Sequence, residues 1–171
     1  MQMVKKIILA LFVILLSLMI FAPKRELYYL LEAQLMQQDI IIHNEEIDAG
    51  LFSLTLKHPE LYVKGIRVAQ VDEATLRPLL FYTVATVKGV QFDRTLERWV
   101  SGGLTKITAS HLFADPMHVN LSLSGAFGKA EGSIDLDSRS IHLDLTEEQK
   151  IGKLKSMLKK GEEGWYYETS F

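Results

Sequence analysis

From Met117 onward the chain alternates between apolar and polar residues. Met117, Val119, Leu121 and Leu123 are separated by His118, Asn120 and Ser122, with Ser124 following. The same period of two returns in Ile134 and Leu136 against Ser133, Asp135 and Asp137, and again in Ile141, Leu143 and Leu145 against His142 and Asp144. Successive side chains of a strand point to opposite faces, so each stretch reads as a strand with one apolar and one wet face. The linkers 125–129 and 137–140 are short and turn-like, which predicts a three-stranded antiparallel meander.

Upstream the pattern is more broken but still strand-like. Ile40, Ile41 and Ile42 form a β-branched run, and after Gly50 the residues Phe52, Leu54 and Leu56 alternate with Ser53, Thr55 and Lys57. Leu61 and Val63 are apolar, but beyond Gly65 the apolar positions become Ile66 and Val68, a slip of phase that predicts a β-bulge or sharp bend at Gly65. Residues 75–80, with Pro78, read as a turn or short helix before a strand at 81–92. Asp93 is placed to cap a short helix carrying Leu96, Trp99 and Val100, stopped by Gly102 and Gly103, and a further strand spans 104–113. Trp165 to Phe171 alternates as a last strand.

Two segments have a helical period instead. Residues 24–38 place Leu27, Leu30, Leu31 and Leu35 on one side, either to pack on the sheet or to lie on a bilayer surface. Thr146-Glu147-Glu148-Gln149 has the form of a capping box, which predicts a helix over 147–160 with Ile151, Leu154 and Leu158 on one side.

The N-terminus obeys neither period. Ile7 to Ala22 holds no charge and a single polar side chain, Ser17, behind Lys5 and Lys6. As a helix this run measures roughly 24 Å, short of a hydrocarbon core of about 30 Å but within reach of local thinning and of snorkelling lysines. Ile20-Phe21-Ala22-Pro23 lacks the small-residue signature of a cleavage site, so the run reads as a retained anchor. The expected organisation is a cytoplasmic N-terminus (1–6), a transmembrane anchor (7–22) and an exported, periplasmic domain (23–171) of a single-pass protein of a bacterial inner membrane. The fold class expected is mainly β with a few helices, α+β. It would be a curved antiparallel sheet or β-sandwich-like domain behind one N-terminal transmembrane helix.

Candidate chemistry changes this picture little. The chain has no cysteine, so disulfides and thiolate chemistry are excluded, and a net charge of −2 gives no electrostatic footprint for nucleic acid. The histidines 43, 58, 111, 118 and 142 do not fall at the helical i, i+4 spacing of a zinc motif, and the acidic clusters flank predicted turns. No nucleophile elbow or phosphate loop is present. These readings give no catalytic, cofactor or metal residues, no small-molecule substrate and no enzyme.

Leu51-Phe52-Ser53-Leu54-Thr55-Leu56 and Leu61-Tyr62-Val63-Lys64-Gly65-Ile66-Arg67-Val68-Ala69, behind an anchor and an amphipathic helix, resemble the type II secretion system protein N family within the AsmA-like bacterial envelope proteins. Val71 to Leu79 and Ala130-Glu131-Gly132-Ser133-Ile134-Asp135-Leu136 look like the same style of repeat. The resemblance implies a non-enzymatic envelope component whose partners are membrane lipid and other subunits of a secretion or envelope-assembly complex. The alternative is a lipid-binding or lipid-transfer protein in which Leu121, Leu123, Ile134, Leu136, Leu143 and Leu145 line a groove for acyl chains. A sheet with one apolar face must cover it with helices, a second sheet or a ligand, and the plainest expectation is a core that the chain covers by itself.

Overall fold

A computed structural model of the protein describes residues 2–21, 23–79, 81–97, 102–148, 151–161 and 164–171. The chain opens with helices α1 (Gln2–Phe21) and α2 (Lys24–Met36), joined at Pro23. Strands β1 (Ile40–His43), β2 (Glu46–Ala49), β3 (Leu54–Lys57), β4 (Glu60–Val63), β5 (Ile66–Gln70), β6 (Glu73–Pro78) and β7 (Tyr82–Phe92) follow. After the short α3 (Arg94–Glu97) come β8 (Leu104–Leu112), β9 (Asp115–Gly125), β10 (Gly128–Asp135) and β11 (Ser140–Glu148). A 3-10 turn (Gly152–Ser156) leads to β12 (Lys159–Lys160) and β13 (Trp165–Ser170). The fold is mainly β with helices, α+β, and all described strands join one antiparallel sheet of 13 strands rather than a sandwich. The sheet is open, because β2 and β12 stand at opposite ends of the pairing and do not meet.

The predicted meander is present, and its strands are longer than the alternation alone indicates: β9, β10 and β11 pair in order, and β7 and β8 extend it on one side. At the other end of the sheet, β1 and β2 pair along β4 and β3, and β5 and β6 pair along β7, with register unchanged across the gaps between successive strands. Those gaps align. Asn44, His58 and Gly89 take left-handed backbone at φ 62°, 53° and 63°, and the strands bend together at this level. Backbone bonds from His58 N to Asp72 O (3.0 Å), Val71 N to Pro59 O (3.0 Å) and Asp72 N to Lys88 O (3.1 Å) stitch the crease.

Four expectations need correction. The slip at Gly65 is a hairpin turn, in which Lys64 and Gly65 both have positive φ, 52° and 77°, as a two-residue turn matched to strand twist requires. The bulge expected there lies a few residues on: Leu61 faces Ala69 and Tyr62 faces Arg67, leaving Val68 as the extra residue. Residues 73–78 are strand β6, paired with β3 and β7; Pro78 lies beyond the β3 pairing, which ends at Leu76, so its missing N–H interrupts no ladder on that side. Thr146, Glu147 and Glu148 do not cap a helix but complete β11, where Lys129 Nζ bonds Glu147 Oε1 at 2.8 Å across the ladder; among the described residues of the predicted 147–160 helix, the helical part is the 3-10 turn alone. At α3 the Asp93 carbonyl accepts from Leu96 N and Glu97 N, but the Asp93 side chain accepts from the adjacent Arg94 N at 2.7 Å rather than from the second or third helical N–H that a capping aspartate serves, and Trp99 and Val100 lie outside the described residues.

Gly132 is a point of close approach. A Cβ there would run into the carbonyl of His142 and come within 2.8 Å of Leu143 Cα on β11. Gly132→Ala is expected to lower stability by about 1–3 kcal/mol, the usual range for overpacking. An unchanged denaturation midpoint would mean that β10 and β11 do not approach this closely.

Among the described residues no helix is long and apolar enough to cross a membrane. α1 counts 20 residues, but its first turns carry Lys5 and Lys6, and the apolar part beyond them reaches only about 22 Å.

Candidate apolar groove

Cross-strand partners share a face, so the register identifies what lies side by side on the sheet. Starting at β2, Ile47 faces Leu56, which faces Ala74, then Val87, Ile107, Leu123, Ala130 and finally Leu145 on β11. The neighbouring row runs from Ala49 through Leu54, Leu76, Ala85, Ala109, Leu121, Gly132 and Leu143 to Tyr167 on β13. Both rows are free of charge from one end to the other. The intervening row on the opposite face is Thr55, Thr75, Thr86, Thr108, Ser122, Glu131 and Asp144. One side of the sheet is therefore oily and the other is built for water, with Thr55 and Thr75 hydroxyls 3.2 Å apart and Lys88 paired to Glu73 at 2.8 Å.

Among the described residues the chain covers the oily side only in part. The buried hydrophobic core amounts to Tyr28, Leu54, Ala69, Val90, Phe127, Ala130 and Ile151 among the described residues. Two open apolar cavities occupy the face instead. One, of about 510 Å³, lies over β8–β11 and β13; Leu104, Leu123, Leu143, Leu145 and Tyr167 form its floor. Leu96 of α3 and Leu154, Met157 and Leu158 around the 3-10 turn form its far wall. The other, of about 350 Å³, lies over β3, β6 and β7 on Leu54, Leu56, Leu76, Ala85 and Val87, and is walled by Leu27, Tyr28 and Leu31 of α2. Between the two floors the rows continue through Ile107, Ala109 and Leu121, so one apolar strip connects them. Both volumes fall within the range of about 300–1,000 Å³ usual for ligand pockets.

Of the six residues predicted to line a groove, Leu123, Leu143 and Leu145 do so. Leu121 and Ile134 share the apolar face but contact neither apolar cavity, and Leu136 sits in the turn beyond β10, 45% exposed. Alternation shows which face a residue takes, not where along the face the helices leave space. The lining residues on β3, β6 and β7 were not singled out for that reason, and Phe127, which anchors the small core with Ala130 and Ile151, was hidden inside a predicted turn.

Tyr28 holds α2 in place. It is 3% exposed, and its Oη donates to Glu45 Oε1 at 2.9 Å, just beside the crease. Burial, reinforced by the Glu45 carboxylate, pushes the phenol well above its ordinary pKa, so it remains a donor. Of the leucine stripe expected either to pack on the sheet or to lie on a bilayer surface, Leu27 is 57% and Leu30 68% exposed, so α2 meets the sheet chiefly through Tyr28.

The described residues contain no group of His, Asp and Glu side chains able to hold a metal. His118 sits between Asp115 (2.8 Å) and Asp135 (3.3 Å) on the exposed surface, and the hydrogen bond it donates to the Asp115 carboxylate raises its pKa. This pair lies near the strand ends, away from the groove floor. Comparison of the chain with family models, with characterised proteins and with solved structures finds no match.

Proposed function

We propose that the protein is a non-enzymatic, membrane-anchored lipid-binding protein whose open apolar strip takes acyl chains. The observation that carries this reading is the pair of uncharged rows that runs across the sheet with two cavities above it. A contiguous apolar surface of this extent on a water-exposed domain calls for an apolar occupant, and flexible hydrocarbon suits a long, shallow strip better than a compact ligand does. The helix α1 serves as the anchor, with Ile7, Ile8, Leu9 and Leu11 all more than half exposed, and with Lys5, Lys6 and Lys24 reaching the headgroups on either side of a locally thinned bilayer. The β domain then works at the membrane surface, on the exported side of a bacterial inner membrane.

The full chain, extracted in detergent and released from micelles in a native mass spectrometer, is expected to carry lipid that survives detergent exchange, and its mature form is expected to retain residues 1–23. A dry domain that crosslinks in cells to subunits of a membrane complex would replace this reading with the secretion or envelope-assembly role that the sequence resemblance implies.

A further inference from the structure

The cavity under α2 has one charged residue in its lining, Lys24. It is the first residue of α2, three positions beyond the end of α1, and it is only half-buried. Among the described residues its Nζ makes one hydrogen bond, a long one of 3.5 Å to the carbonyl of Ile20. No carboxylate among the described residues pairs with it, although lysines elsewhere on the sheet find partners, Lys88 with Glu73 and Lys129 with Glu147 at 2.8 Å and Lys159 with Glu168 at 2.9 Å. Lys24 also borders a second, polar depression together with Arg25 and Glu26, but Glu26 does not line the apolar cavity and makes no ion pair with Lys24 among the described residues. A partly desolvated ammonium without a counter-charge is unfavourable, and an anion supplied from outside removes that cost. Apart from Thr75, Thr86 and the Tyr28 ring the rest of the lining is aliphatic, so the anion must be attached to an apolar tail.

We infer that Lys24 is a headgroup site and that the occupant of the adjoining cavity is an anionic amphiphile, with its phosphate or carboxylate on Lys24 Nζ and its acyl chain along Leu56, Leu76 and Val87. This rests on the lipid-binding reading and adds the charge class of the lipid. Lys24 stands at the junction between the apolar helix and the sheet, so an amphiphile leaving a bilayer meets the cation first and the strip afterwards.

The test is photocrosslinking with the full chain reconstituted in phosphatidylcholine vesicles. In parallel arms, phosphatidylglycerol, phosphatidylcholine or palmitate carries a photoreactive group near the end of the acyl chain, and adducts are mapped to the peptides of β3, β6 and β7. Phosphatidylglycerol, palmitate or both are expected to label these peptides at least fivefold more than phosphatidylcholine. Lys24→Gln is expected to remove that excess while leaving phosphatidylcholine labelling unchanged, and Lys24→Arg to retain it. Whichever anionic probe responds identifies the headgroup as phosphate or carboxylate. Equal labelling by all three probes, or an excess that survives Lys24→Gln, overturns the headgroup assignment and leaves the lipid reading standing. No labelling of the strand peptides by any probe overturns both.

Discussion

Placing tryptophan at both Ala85 and Ala109 is expected to cut acyl-lipid retention by about tenfold, equivalent to about 1.4 kcal/mol, with little loss of stability. The two alanines are cross-strand partners in one apolar row, Ala85 inside the α2 cavity and Ala109 on the uncovered floor between the cavities. Neither belongs to the small buried core. Indole rings there would fill space that the chain leaves open rather than displace packed neighbours, so the usual penalty for overpacking does not apply in full. Lipid bound per chain, read by mass spectrometry alongside the thermal midpoint, separates the outcomes. A chain that still folds and holds as much lipid as before would show that the strip is not where acyl chains bind. Leu143→Asp is a poorer probe, because a charge on the floor harms folding and binding together.

The second large effect concerns α2. Tyr28→Ala is expected to weaken the docking of this helix by about 3–5 kcal/mol, the range for removing a large buried aromatic. Tyr28→Phe, which loses only the bond to Glu45, should cost about 1 kcal/mol. Hydrogen exchange confined to residues 24–36 is the direct measurement, since the sheet does not depend on this helix for its ladder. The same contact gives a pH dependence. Because the phenol of Tyr28 has a raised pKa in the folded chain, its contribution is complete below the ordinary tyrosine value of about 10 and is lost as pH rises beyond it. Protection of α2 should therefore fall in strong alkali in the natural chain and show no such Tyr28-linked fall in Tyr28→Phe. A pH-independent helix, or a Tyr28→Ala chain with unchanged exchange, would mean that α2 is held by something else.

These effects connect one cavity to the helix that walls it. α2 packs on β1 and β2 beside the crease and forms the wall of one cavity, so loosening Tyr28 opens that cavity without touching its floor. The crease itself depends on backbone that few side chains tolerate. At Gly89, φ is 63° and a Cβ would collide with the side chain of Asp72, so the bend and the hydrogen bonds that stitch it are tied to glycine at this position.

Much of the fold was legible along the chain because alternation is a local signal. Met117 to Leu145 displayed its strands, its turns and the sidedness of its faces through composition at successive positions, and the structure places all three strands in that order. Thr146 to Gln149 misled because a capping box is also local: its threonine and glutamates suit a helix start, yet pairing with β10 extends the strand through Glu148, a contact invisible from spacing. The candidate site was half legible for a related reason. Leu123, Leu143 and Leu145 belong to the alternating stretch, whereas Leu56, Leu76, Ala85 and Val87 come from three strands whose shared face emerges only when β3, β6 and β7 are laid side by side.

By itself the sequence determined that this protein has a β-rich domain with one wet and one oily face, and that an uncharged apolar helix precedes it. Both follow from side-chain periodicity, which needs no knowledge of distant residues. Only the tertiary structure decided that the oily face stays open in part, that its rows align from β2 to β13, and that an unpaired Lys24 stands at the edge of a cavity beneath α2. Those features depend on non-local register and on how few helices return to cover the sheet, and neither quantity is encoded in any short stretch of the chain.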